Sequence, residues 1–113
     1  MFHTVWAEKK IRRGELWTAI MCVNGYLKTK LIIIIEMYEH CVHGTAYDTW
    51  HNGRMAEQWA EPFIVDKLGD CFSRYDADDL ISALAATREL FLTLAKEYAS
   101  AYGYTTGIPE IDS

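Results

Sequence analysis

The chain has 113 residues, half of them apolar, with three cysteines and a net charge of −5. That is enough for one hydrophobic core and not for two, and it is too apolar for a disordered chain. Two prolines and seven glycines argue against a turn-rich all-β protein. Cys22, Cys41 and Cys71 are scattered and odd in number, as expected of reduced, buried thiols rather than a disulfide framework. Met1-Phe2-His3-Thr4 shows no basic region leading into an apolar one, and the run Leu31 to Ile35 is far shorter than a membrane span. A cytoplasmic protein that does not meet the membrane is expected. Residues 1–30 hold six bases against two acids, and the remainder holds fourteen acids against five bases. Such polarity lets one end face an anion and the other a cation.

The elements read in order as helices. Val5 to Arg13 is a short helix broken at Gly14. From Glu15 to about Val42, apolar residues recur by threes and fours at Leu16, Ile20, Val23, Leu27, Leu31, Ile34, Tyr38 and Cys41, which predicts one long helix. Gly25 inside it marks a bend or a close helix crossing. Ile32 to Ile35 favours a strand by propensity, yet its place in a long periodic segment makes it helical, with apolar contacts nearly all round. Gly44 closes the helix as a C′ glycine. Residues 44–61 form an aromatic, charged link containing a short helix at Arg54 to Ala60. Pro62 opens the next helix at a position where its missing N–H is harmless, and Ile64, Leu68, Cys71, Phe72 and Tyr75 form its apolar stripe. Asp76 is the N-cap of a last helix over 77–102, whose buried side is Leu80, Leu84, Phe91, Leu94, Ala95, Tyr98 and Tyr102. Residues 104–113 read as a mobile tail. The fold expected is all-α: a single domain built as an antiparallel bundle of about five helices, two of them long.

Three passages carry a family resemblance: A-E-K-K-I-R-R-G-E-L-W-T-A at 7–19, Y-D-T-W-H-N-G-R-M-A-E-Q-W-A-E-P at 47–62, and F-S-R-Y-D-A-D-D-L-I-S-A-L-A-A-T-R-E-L-F-L-T-L-A-K-E at 72–97. Together they resemble the C-terminal helical domain of bacterial nucleotidyltransferases of the aminoglycoside, streptomycin-type adenylyltransferase kind. Glu61 stands where Asp is usual before the proline. In that family a preceding catalytic domain carries a Gly-Ser turn and paired aspartates that hold magnesium and the nucleoside triphosphate. These 113 residues contain no Gly-Ser dipeptide, and the paired acids Asp76, Asp78 and Asp79 sit at a helix start. The resemblance therefore implies a non-catalytic substrate-binding or subunit-packing domain, with no cofactor of its own, working with a nucleotidyltransferase domain.

Several constellations bear on function. Glu36, Glu39, Asp48 and Glu57 supply carboxylates for the ammonium groups of a cationic small molecule, with Trp50 and His51 at the rim to cover sugar rings. The same acids also make an ordinary solvated surface. Trp50 and Trp59 either form a ligand-facing lid or plug the open end of the bundle. Glu36, His40 and His43 fall within about a 60° arc of one helix face, a spacing that can hold a divalent metal. The competing reading pairs Glu36 and Glu39 with His40 and His43 one turn on. Lys9, Lys10, Arg12 and Arg13 can meet a nucleotide held by a partner, but with Trp6 alone beside them they are a thin footprint for nucleic acid. The ribonuclease pattern of Arg followed four to six residues later by His is absent, and Cys41 lies on the apolar side of its helix, where a thiol is inert. A second functional class is a structural module, a homodimer through the apolar face of 15–43 or an antitoxin-like partner.

Overall fold

The computed structural model describes residues 3–50 and 53–102. Every regular element among them is helical. Helix α1 is His3–Arg12, and α2 is Leu16–His43. Two short helices follow, α3 at Ala56–Trp59 and α4 at Pro62–Leu68, the latter prolonged by a 3₁₀ turn at Gly69–Cys71. Helix α5 is Ala77–Tyr102.

Helix α2 forms where the period demanded it, with Val23, Leu27, Leu31 and Ile34 buried. The strand-like Ile32 to Ile35 run is helical, but not apolar all round, since Ile33 is exposed. Cys22–Tyr26 is wound as a π-helical turn, the Leu27 N–H reaching back to the Cys22 carbonyl. A Cβ built on Gly25 would meet nothing within 4 Å, so this glycine marks the π turn and not a close crossing. The helix stops at Gly44, whose φ of 95° and ψ of 161° belong to a region that only glycine enters cheaply.

Helix α4 is shorter than its stripe suggested. Ile64 and Cys71 are buried, yet Phe72 and Tyr75 are exposed because the chain leaves the helix and turns extended at Phe72. The turn is held by Asn24, whose side chain accepts the Ser73 N–H and donates to the Ser73 carbonyl, both at 2.9 Å. Asp76 caps α5 as expected, its Oδ2 accepting the Asp79 N–H at 3.0 Å. In α5, Leu80, Leu84, Phe91 and Leu94 are buried, joined by Ala83, Thr87 and Leu90. The Tyr102 side chain, His51 and the tail 104–113 lie outside the described residues.

Directions follow from the pairings. Along α2 and the return segment, Glu39 meets Glu61, Tyr38 meets Phe63, and Asn24 meets Ser73, so these two are antiparallel. Along α2 and α5, Lys28 bonds Thr87, and Glu97 is close enough to Tyr38 to help burial raise the phenol's pKa. Both pairs ascend together, so the two long helices run the same way, and α4 is the return that joins them in the chain.

Helix α2 is long and apolar enough to cross a membrane by length and composition alone. The run Leu31 to Ile35 is only part of the apolar stretch, which the helix extends back through Ala19–Val23. Here its apolar stripe packs on α1, α4 and α5 as the core helix, with Glu39 buried in it.

Candidate functional site

A cavity of about 800 Å³ forms an open groove along α2. Its floor is the exposed side of that helix, including Thr29, Ile32, Ile33 and Glu36; the link supplies Trp50 and Glu57, and Phe72 stands at the far end. The link lies close to α2 at Gly53, where a Cβ would sit 3.3 Å from Ile32 Cδ1 and where φ is 77°. Left-handed backbone recurs at Trp50 and Met55, with φ of 55° and 61°. Such a conformation is costly for non-glycine residues and persists only where surroundings fix it.

The fixing bonds are visible. Asp48 Oδ1 accepts the Trp50 N–H at 2.8 Å, an Asx-type turn. Trp59 is buried and its indole N–H donates to the Arg54 carbonyl at 2.8 Å. The Tyr47 hydroxyl donates to the Trp59 carbonyl at 2.7 Å, and His40 Nε2 lies 2.9 Å from the Tyr47 carbonyl, which can only accept, so Nε2 carries the proton. The two tryptophans thus divide the roles the sequence left open. Trp59 is the plug. Trp50 is half exposed at the groove wall, with the Arg54 guanidinium 5.2 Å from its ring centroid.

The four acids do not share one surface. Glu36 and Glu57 line the groove. Asp48 is exposed beside it and orients Trp50. Glu39 is fully buried at the other end of the link, where its Oε2 accepts the Glu61 N–H at 3.1 Å. Burial raises the Glu39 carboxyl's pKa, the neighbouring Glu61 adds to this, and the Glu61 N–H and nearby imidazoles oppose it. The trio Glu36, His40 and His43 does not converge either: His40 is committed to Tyr47, while His43 Nε2 lies 3.4 Å from Glu39 and 3.3 Å from Glu61. The Glu39–His43 pairing is the i,i+4 pair expected from spacing. Glu61 came from 22 residues downstream, with no local signal to announce it.

The groove also holds a cation that sequence reading missed. Lys28, half-buried, donates to the Val23 carbonyl at 2.7 Å and to Thr87 Oγ1 at 2.9 Å, with Nζ 4.8 Å from the Phe72 ring centroid. Burial draws its pKa down to about 8, partly offset by the thiols of Cys71 and Cys22. Thr87 in turn shares its single hydroxyl proton between the Ala83 carbonyl at 2.7 Å and the Cys71 carbonyl at 3.0 Å, so one buried hydroxyl ties α5 to α2 and to the turn after α4. On α1, part of the basic cluster is paired with acids, Arg12 with Glu8 at 2.7 Å and Lys10 with Glu15 at 3.2 Å.

The profile of the streptomycin adenylyltransferase family matches residues 1–111. No curated protein and no solved structure matches the chain. Asp76 and Asp79 are engaged at the start of α5. Asp76 accepts the Asp79 N–H, and Asp79 accepts the Arg74 N–H at 2.6 Å. These carboxylates close a helix start rather than converge on a cation.

Proposed function

The chain belongs to the streptomycin adenylyltransferase family, and from that premise we propose that it is the family's non-catalytic helical substrate-binding part, receiving a cationic, sugar-bearing small molecule in the groove and presenting it to a nucleotidyltransferase domain. The observation that carries this reading is that Glu36 and Glu57 border one groove with Trp50 and Phe72. Two carboxylates supply ion-paired hydrogen bonds to ammonium or guanidinium groups, and aromatic faces cover the apolar side of a sugar ring. Lys28 at the same wall leaves the groove a net single negative charge from these three groups. It thereby disfavours simple monocations relative to a ligand able to reach both acids at once.

Calorimetry and tryptophan fluorescence of the full chain with streptomycin, kanamycin and ATP test this. The aminoglycosides are expected to bind and to perturb Trp50 emission, while ATP is silent. Glu36→Gln and Glu57→Gln each remove one charge-assisted hydrogen bond, worth about 1.5–3 kcal/mol, or roughly tenfold or more in affinity. No heat and no fluorescence change with either aminoglycoside refutes the reading.

A second reading, packing against a catalytic domain or another copy of the chain, is favoured by Trp17 and Met21. They are 67% and 53% exposed one turn apart on α2, an unusual place for two large apolar side chains. Light scattering of the wild type and of Trp17→Glu separates the two: association lost in the variant supports packing, and a monomer in both excludes self-association.

A further inference from the structure

Beneath the link, away from the groove, Glu39, His43 and Glu61 bring one ligand atom each to within 4.8 Å of one another. Glu39 has no exposed surface, and its Oε1 has no hydrogen-bond partner. A buried carboxylate oxygen left so is costly, and this one points at His43 and Glu61. His43 Nε2 stands 3.4 Å from Glu39 Oε1 and 3.3 Å from Glu61 Oε1. Direct charge-assisted N–H···O bonds close to about 2.7–2.9 Å, so both separations are too long for an imidazolium clasped by two carboxylates. They do equal the edge of a tetrahedron: ligands about 2.0–2.1 Å from a zinc-like ion lie about 3.3–3.4 Å apart.

We propose that Glu39 Oε1, His43 Nε2 and Glu61 Oε1 bind a divalent transition-metal cation of the Zn²⁺ or Co²⁺ type, with the fourth position open to the cleft beside them. That cleft, about 380 Å³, is bordered by His43, Glu61, Gln58 and Asp66, which leaves room for water or a further oxygen ligand. A mixed imidazole and carboxylate set suits Zn²⁺, Co²⁺ or Mn²⁺ better than Ca²⁺ or Mg²⁺, which take larger all-oxygen shells. A dication also neutralises two carboxylates, one of them fully buried, that otherwise share a single imidazole. The surroundings hold the ligands in place. The Tyr47 ring stacks on His43 with centroids 4.2 Å apart, and Tyr47 is itself anchored by the Trp59 carbonyl and by His40. The Glu61 N–H fixes the other oxygen of Glu39. Such outer contacts orient ligands in metal sites generally.

The test uses metal alone. The metal-stripped full chain is titrated with CoCl₂, followed by visible absorption, and with ZnCl₂, followed by calorimetry. One ion per chain is expected, with the intense visible bands of tetrahedral Co²⁺ and a higher melting temperature. Glu39→Gln endangers the fold, so the decisive variants are His43→Gln and Glu61→Gln, whose side chains are 37% and 27% exposed. Each is expected to weaken binding at least tenfold while keeping the wild-type circular dichroism. Absence of binding, or a loss smaller than tenfold in these variants, overturns the assignment. Because no aminoglycoside is present, this outcome is independent of the groove.

Discussion

Lys28 lends itself to a quantitative test, because a half-buried ammonium beside Phe72 and Thr87 makes folding depend on pH in a direction fixed by its environment. Its pKa falls from 10.5 to about 8 on folding, burial being the cause and the thiols of Cys71 and Cys22 opposing it. Between those two values the unfolded chain holds a proton that the folded chain has released, so stability rises with pH across this window. Expressed the other way, stability present above the unfolded pKa is lost as pH falls through the folded one. At about 1.4 kcal/mol per pH unit, the whole difference is on the order of 3 kcal/mol, of which about 2 kcal/mol appears between pH 7 and 9.5. Cys22 and Cys71 act in the opposite sense, since burial raises both thiols and Lys28 opposes that rise. They remain in a Lys28→Met variant, so subtracting its stability at each pH removes most of their effect. Urea unfolding of both proteins at steps from pH 7 to 9.5 is therefore expected to show the wild type gaining about 2 kcal/mol on the variant. A difference that stays flat across that range refutes the claim that Lys28 is held desolvated against α5.

Two backbone positions give opposite signs for the same substitution. Gly44→Ala is expected to cost about 1–3 kcal/mol in urea unfolding, from φ of 95° alone, because a Cβ there meets nothing within 4 Å. Gly25→Ala, in helical backbone with equally open surroundings, is expected to stabilise by about 0.5–1 kcal/mol. Asp76→Ala removes the acceptor for the Asp79 N–H and is expected to cost about 1 kcal/mol, read as a lower thermal midpoint by circular dichroism.

The helices were legible because a 3.6-residue period survives in α2 and α5 without help from the rest of the chain. The boundaries were legible where a residue's chemistry decides them: Gly44 by its φ, Pro62 by its ring, Asp76 by its carboxylate. Phe72 and Tyr75 were misplaced because periodicity cannot report where Asn24, 49 residues before its partner Ser73, holds the chain in a turn. Glu39 is more instructive. It lies one turn beyond Ile35, on the face that also buries Leu31 and Ile35, so position alone put it inside. Its being a glutamate suggested the surface instead, since carboxylates are almost never buried without a partner. The partner exists, but Glu61 is remote in sequence and arrives only through the fold.

That arrival follows from the direction of the long helices. With α2 and α5 pointing the same way, the chain leaving α2 at His43 must travel back along it before α5 can begin near Asn24. A tight turn cannot do this, so the connection needs both a link and the return helix α4. The link covers the last turns of α2, setting Trp50 and Glu57 opposite Glu36 to make the groove. The start of the return then falls beside Glu39 and His43, delivering Glu61 to them. The groove and the Glu39–His43–Glu61 cluster are thus products of one topological necessity, and the costly left-handed residues Trp50 and Met55 lie in the stretch that must bend to satisfy it. An antiparallel pair of long helices joined by a short loop would contain the same side chains and neither arrangement.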